Sequence, residues 1–171
     1  MDKRTNRIRE QLINKGCALN PICSPSEIET FEKLHGITLP EEYTSYLLNI
    51  ANGGDGPPEY GIVKLGGVAS DMSEQEKHNW SSLSSVKKPF PFTGAWITEE
   101  DEESDEGNFS DIDSGSIFIG NDGCGMYWHL IVTGPERGNM WLLTGEGISP
   151  TTPRHTFLSW IEAWIDGNEY F

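Results

Sequence analysis

The sequence predicts an α+β fold, with N-terminal helices and a C-terminal helix packed on a mainly antiparallel β-sheet. Three observations carry this. Apolar residues recur at spacings of three and four near both ends of the chain. Between those ends the period shortens to that of strands, in segments rich in aromatic and β-branched residues. The strand segments are joined by short connections bearing Gly, Asn, Asp and Pro, which favours antiparallel neighbours.

In chain order, residues 3–15 predict a short helix with Ile8, Leu12 and Ile13 on one side. That stripe is narrow, so the helix needs a body to dock on. Ser24-Pro25-Ser26-Glu27 reads as a capping box with proline at the first helical position. Ile28, Phe31 and Leu34 follow at helical spacing, and Gly36 supplies the stop. Leu39-Pro40-Glu41-Glu42 opens the next helix, whose early acids suit the positive end of its dipole. Tyr43, Tyr46, Leu47 and Ile50 form its apolar face, and Asn52-Gly53-Gly54 ends it. Tyr60 to Leu65 predicts a strand. Met72 to Trp80 is a polar stretch compatible with a helix, and Pro89-Phe90-Pro91-Phe92 is irregular. Ser116 to Ile119, Met126 to Thr133 and Asn139 to Thr144 predict three strands. Gly120-Asn121-Asp122-Gly123 and residues 134–138 are the turns between them. Thr156 to Ile165 closes the pattern as a helix, with Phe157, Trp160, Ile161 and Trp164 at spacings of three and four.

A chain of 171 residues with 36% apolar content, including six Trp, five Tyr and seven Phe, suits one domain with a real core. No apolar run reaches the roughly 20 residues of a membrane span. The first residues lack the apolar segment of a signal peptide. Cys17, Cys23 and Cys124 are an odd set without a CxxC, which fits a reducing compartment; the expected location is the cytoplasm.

Charge is the strongest compositional signal. Twelve basic against twenty-seven acidic residues gives −15, and residues 99–113 alone hold nine acids with no Lys or Arg. Such a surface repels duplex nucleic acid and anionic membranes and attracts a basic partner. Five of the twelve bases fall in the first fifteen residues, so the N-terminal arm carries the opposite sign.

Three blocks resemble the Smi/Knr family, the SUKH superfamily, over roughly residues 24–165. The first is Ile28-Glu29-x-Phe31-Glu32 through Gly36-Ile37-x-Leu39-Pro40-x-x-Tyr43, closed by Asn52-Gly53-Gly54. The second is Phe118-Ile119-Gly120-Asn121-Asp122-Gly123-Cys124-Gly125 running into Tyr127 to Val132. The third is Gly134-Pro135-Glu136-Arg137-Gly138-Asn139-Met140-Trp141, followed by the tryptophan-rich end helix. The resemblance implies a SUKH-like domain over 24–171, preceded by a basic arm or helix at 1–23. For bacterial members it implies a cytoplasmic immunity protein that binds a polymorphic toxin, often a nuclease. Fungal relatives imply a regulatory hub in cell-wall synthesis and signalling. The family carries no catalytic set to transfer. Leu39, Pro40, Gly53, Gly54, Gly120, Asp122, Gly123, Gly125, Gly134, Gly138 and Trp141 are expected to be structural.

The candidate partner-binding residues are Glu99, Glu100, Asp101, Glu102, Glu103, Asp105, Glu106, Asp111 and Asp113. Two readings of this run stay open: a solvated loop that aids solubility, or a decoy for a cationic cleft. Phe109 and Ile112 are possible anchors within it. Asp111-x-Asp113 begins like a calcium loop, but Gly115 and Ser116 occupy positions that want a ligand and then glycine. The turn at 120–125 is not GxGxxG and lacks the Lys-Ser/Thr of a phosphate loop. Cys124 and His129, five residues apart, are a weak nucleophile–base pair. His35, His78, His129 and His155 show no metal-ligand spacing. No metal, cofactor or catalysis is expected. Trp128, Trp141, Trp160 and Trp164 read as core more than as a platform. Trp80, Trp96 and Phe90-Pro91-Phe92, in irregular sequence, are the better interface candidates.

Overall fold

The computed structural model describes residues 2–68, 74, 85–97 and 112–170. The expected segment 72–80, Trp80 included, therefore lies outside the described residues apart from Glu74.

Helix α1 (Lys3–Asn14) starts on Asp2, whose carboxylate accepts from the Thr5 N–H at 2.9 Å and the Thr5 hydroxyl at 2.7 Å. These bonds favour the ionised acid and lower its pKa. Ile8 and Leu12 are buried, but Ile13 points outward and is 47% exposed, contrary to the expected stripe. Helix α2 (Pro25–His35) carries the expected capping box: Ser24 Oγ accepts from the Glu27 N–H, and Glu27 accepts from the Ser24 N–H at 2.7 Å. Gly36 ends it in the left-handed conformation. Its packed face is narrower than expected. Ile28 is buried and Phe31 half-buried, while Leu34 lies 76% exposed. Helix α3 (Glu41–Asn49) buries Tyr43, Tyr46 and Leu47. Helix α4 (Phe157–Asp166) buries Phe157, Leu158, Trp160, Ile161, Ala163 and Ile165.

The sheet has five antiparallel strands, β1 (Trp96–Ile97), β2 (Ser116–Gly123), β3 (Met126–Ile131), β4 (Met140–Thr144) and β5 (Gly147–Pro150), in the order β1-β5-β4-β3-β2. Two expectations need correction. Gly120 to Gly123 is not the turn. It continues β2 across two register shifts, and Cys124-Gly125 makes the reversal, with Cys124 at φ 52°. Turn-forming residues sit there because each bulge leaves an extra residue outside the ladder. Tyr60 to Leu65 is not a regular strand. Only Ile62 takes ladder geometry, bridging Gly54 on one side and Gly120 on the other, because Gly61 at φ 79° turns the backbone beside it. The segment still lines the β2 edge, with Val63 N–H donating to the Ile119 carbonyl and Tyr60 N–H to that of Asn121.

Gly53 and Gly54 are required where three chain segments meet. Their φ values are 77° and 125°. A Cβ on Gly53 would lie 2.5 Å from the Ile62 carbonyl oxygen, and one on Gly54 2.5 Å from that of Ala18.

The helices cover one face of the sheet. Ile117, Ile119, Trp128, Leu130 and Met140 pack against Tyr43, Tyr46, Phe157, Trp160 and Ile161 in one continuous core. Phe157 meets the rings of Tyr43 and Tyr46 edge-on at 4.8 and 5.1 Å. An ionic knot ties the helices together at one end. Arg4 of α1 pairs with Glu42 of α3 and, at 2.8 Å, with Glu162 of α4; Arg7 also reaches Glu162. The second oxygen of Glu42 accepts the Leu158 N–H at 3.0 Å. It takes the place of a capping side chain at α4, whose N-cap Thr156 makes no such bond.

Two predictions follow from this packing. Ile8→Ala costs about 2–4 kcal/mol by loss of buried contacts, whereas Ile13→Ser stays within about 0.5 kcal/mol; urea unfolding separates them, and equal losses would contradict the docked face of α1. The second concerns acid. Burial works to raise the pKa of Glu162, but hydrogen bonds from Arg4 and Arg7 outweigh it and lower the pKa below 4.5. A depressed carboxylate contributes stability that is full above its unfolded pKa and lost as pH falls through the folded value. Glu162→Gln should therefore destabilise the chain near neutrality and flatten its stability loss below about pH 4.5. An acid limb identical to that of the parent would contradict the knot.

Candidate partner-binding surface

The sheet face opposite the helices is also apolar, and loops cover it. Tyr127, His129 and Ile131 of β3 share that face with Trp141 and Leu143 of β4 and Ile148 of β5, as the register requires. Phe90, Ile112, Ile131, Trp141 and Ile148 form a second buried cluster, with Phe92, Trp96 and Leu143 packed on it. Phe90 stands edge-on to Trp141 at 4.9 Å, and Phe92 lies 5.8 Å from Trp96. Arg154 lies over the Trp141 ring at 5.2 Å. It also pairs with Glu136 at 3.0 Å and donates to the Thr93 carbonyl at 2.8 Å. Glu136 further accepts from the indole N–H of Trp141 at 3.2 Å. Phe90 and Trp96, expected as interface candidates, thus belong to this cluster; only Pro91 of the Phe90-Pro91-Phe92 run is exposed.

This cluster brackets the acidic run. Trp96 packs on it just before the run begins, and Ile112, 5% exposed, is buried in it where the run ends. Glu99, Glu100, Asp101, Glu102, Glu103, Asp105, Glu106, Phe109 and Asp111 lie outside the described residues. Asp113 is half-buried, and its carbonyl accepts from the Ser116 hydroxyl at 2.7 Å.

The motif residues lie at junctions. Arg137 donates to the carbonyls of Thr38 and Leu39 at 3.0 and 2.8 Å, so the loop holding Gly134 and Gly138 is tied to the start of α3 at Pro40. The Gly138 carbonyl accepts the Phe157 N–H at 3.2 Å. Asp122 accepts from the indole N–H of Trp128 at 2.6 Å and from the Glu59 N–H at 2.8 Å. It thereby links the edge segment, the β2–β3 hairpin and the core.

The Cys124–His129 pairing does not occur. Cys124 is exposed at the hairpin turn, while His129 is buried in mid-strand. Its Nδ1 lies 2.9 Å from the Ser116 hydroxyl, whose single proton goes to the Asp113 carbonyl. The imidazole therefore donates to this serine and does not act on it as a base. Burial pushes the His129 pKa down to about 3, keeping the ring neutral. Among the described residues no group of three or more His, Cys, Asp and Glu is placed to hold a metal ion, and no helix is long and apolar enough to cross a membrane.

Sequence reasoning missed the ionic knot and the Asp122–Trp128 bond as contacts. Glu42 shows only as an early helix acid, and its partners, Arg4 and the Leu158 N–H, lie 38 and 116 positions away along the chain. The spacing of Asp122 and Trp128, six residues apart, becomes meaningful only with the hairpin bulge in place.

Helices over one face of a bulged antiparallel meander, with junctions held by Leu39-Pro40, Gly53-Gly54, Asp122 and Arg137, define an α+β architecture. The family model of the SMI1 / KNR4 family (SUKH-1) matches residues 22–163, and the chain belongs to that family. No curated protein and no solved structure matches the chain. Members of the family are generally non-catalytic.

The anchoring role of the second cluster is testable. Ile112→Ala should cost about 2–4 kcal/mol in unfolding free energy and expose Trp141 to a fluorescence quencher. An unchanged stability would show that the end of the acidic run is not seated where the structure puts it.

Proposed function

We propose that the chain is an immunity protein, acting in the cytoplasm, that neutralises a toxin domain by stoichiometric binding. The observation that carries this reading is the concentration of nine acids in residues 99–113, bracketed by Trp96 and Ile112 on one buried cluster. Carboxylates at this density speed encounter with a basic cleft, then pair with its Lys and Arg and exclude substrate. The domain of residues 24–171 presents the run, and the first 23 residues brace it through α1. Membership of the family supports a protein partner. The net charge of −15 disfavours nucleic acid and anionic membranes as partners. No metal or cofactor enters this mechanism.

The test uses the chain as bait, with elution in rising salt read by mass spectrometry. The expected result is one dominant basic toxin domain bound one to one and released by salt. Replacing Glu99, Glu100, Asp101, Glu102, Glu103, Asp105 and Glu106 by their amides should weaken that complex by about a hundredfold at low salt and flatten its salt dependence. If affinity and salt dependence both survive the replacement, the electrostatic mechanism is wrong. Recovery of several host proteins and no toxin would replace it with the regulatory hub.

A further inference from the structure

The described residues do not cover the helical face of the sheet to its end. Trp128 is sealed beneath Trp160 and Tyr170, at ring distances of 5.3 and 5.1 Å. The register then runs outward from it. Leu142 lies opposite Trp128, and the next row carries Thr144, Gly147 and Ile97 across β4, β5 and β1. Met126, two residues before Trp128 on β3, shares this face. Burial thins here: Leu142 and Tyr170 still pack on the core but are only partly buried, as is Met126, and Ile97 is 52% exposed. Apolar side chains on one face of a sheet are ordinarily covered by another layer. The chain passes from Ile97 directly into residues 98–111, which hold eight acids and no base.

We propose that this end of the sheet, centred on Ile97, is the apolar centre of the partner interface. Its occupant is a basic protein surface carrying an aliphatic or aromatic side chain among its Lys and Arg. The proposal rests on the reading above and adds the chemistry of the contact. Two observations select this occupant. The adjoining acids repel acidic surfaces and favour cationic ones. A purely charged partner would leave Ile97 and the uncovered parts of Leu142 and Met126 in water, whereas protein interfaces place a desolvated apolar centre inside a polar rim. The acids thus govern encounter and salt dependence, and Ile97 governs the part of the affinity that salt does not remove.

The experiment uses the full chain and two synthetic peptides of equal length and charge, one alternating Lys with Leu and the other Lys with Gly. Dissociation constants are measured by calorimetry at low and at physiological salt. Both peptides should bind, and both should weaken with salt. The Lys–Leu peptide should bind about tenfold tighter, the effect of burying one aliphatic side chain. Ile97→Ser should erase that preference without altering binding of the Lys–Gly peptide, and Ile97→Leu should restore it. Because Ile97 is exposed, both variants should melt with the parent chain. Equal affinities for the two peptides, or a preference that survives Ile97→Ser, would overturn the apolar centre and leave the electrostatic reading standing. Failure of both peptides to bind at low salt would remove the basic partner, and the apolar centre with it.

Discussion

Both faces of the sheet are apolar, but the described helices cover only one of them. This constraint shapes most of the remaining structure. Ile131, Trp141 and Ile148 cannot be left in water, because each large apolar side chain gains about 1.5–3 kcal/mol from burial. Among the described residues no helix lies on that side, and the connections do the covering. Phe90 and Phe92 enter from the segment before β1, Trp96 from β1 itself, and Ile112 from the segment before β2. Arg154 and Glu136 close the rim by pairing with each other, with Trp141 and with the Thr93 carbonyl. The described residues that flank the acidic run in sequence, Trp96 and Ile112, are thus placed by the need to cover the second face.

The helical side meets a different requirement. Three helix starts converge there, and helix starts present N–H groups that lack partners within the helix. One carboxylate, Glu42, serves both Arg4 and the first turn of α4. Arg4 in turn reaches Glu162, the main cause of its raised pKa. The N-terminal helix is therefore integrated with the core at both levels, through Ile8 and Leu12 in the apolar interior and through Arg4 at its rim. Removing one member leaves a partly buried charge without its counter-charge, so the three residues act as a unit and not as separable surface pairs.

Signals that depend on neighbours in sequence were legible. Ser24 and Glu27 cap α2 as their spacing required, and Phe157, Trp160 and Ile161 fill the core from α4. Signals that depend on which side of an element meets another were not. Leu34 and Ile13 have the right spacing but face solvent, because helical period marks a stripe without fixing its width. Strands β1 and β5, of two and four residues, are too short for alternation to show, and β5 includes Gly147 and Pro150, residues that argue against a strand. Gly120 to Gly123 looked like a turn because bulged strands and turns recruit the same residues. The same limits apply to the candidate surface. Its charge is readable from composition, but no pattern in the sequence marks Ile97, whose exposure follows from a two-residue strand at the end of a sheet.

The distribution of charge becomes clearer once the internal pairs are subtracted. The N-terminal arm reads as basic, yet Arg4 and Arg7 are held by Glu42 and Glu162, and Lys15 lies 5.4 Å from the centre of the Trp164 ring. Arg154 is paired with Glu136, and Arg137 donates to backbone carbonyls. Five of the twelve bases are therefore engaged by contacts within the chain, and Arg4 and Arg7 among them offset acids of the helices. The acids of residues 99–113 have no base within their own segment. Physiological salt screens exposed charges beyond about 8 Å, so a partner feels mainly the charge nearest to it. At the β1–β5 end of the sheet, Ile97 precedes the acidic run by two residues in the chain. Local charge density, more than the total of −15, then decides what can dock there. In the proposed interface, the apolar row at Ile97 sets how tightly a docked surface is held.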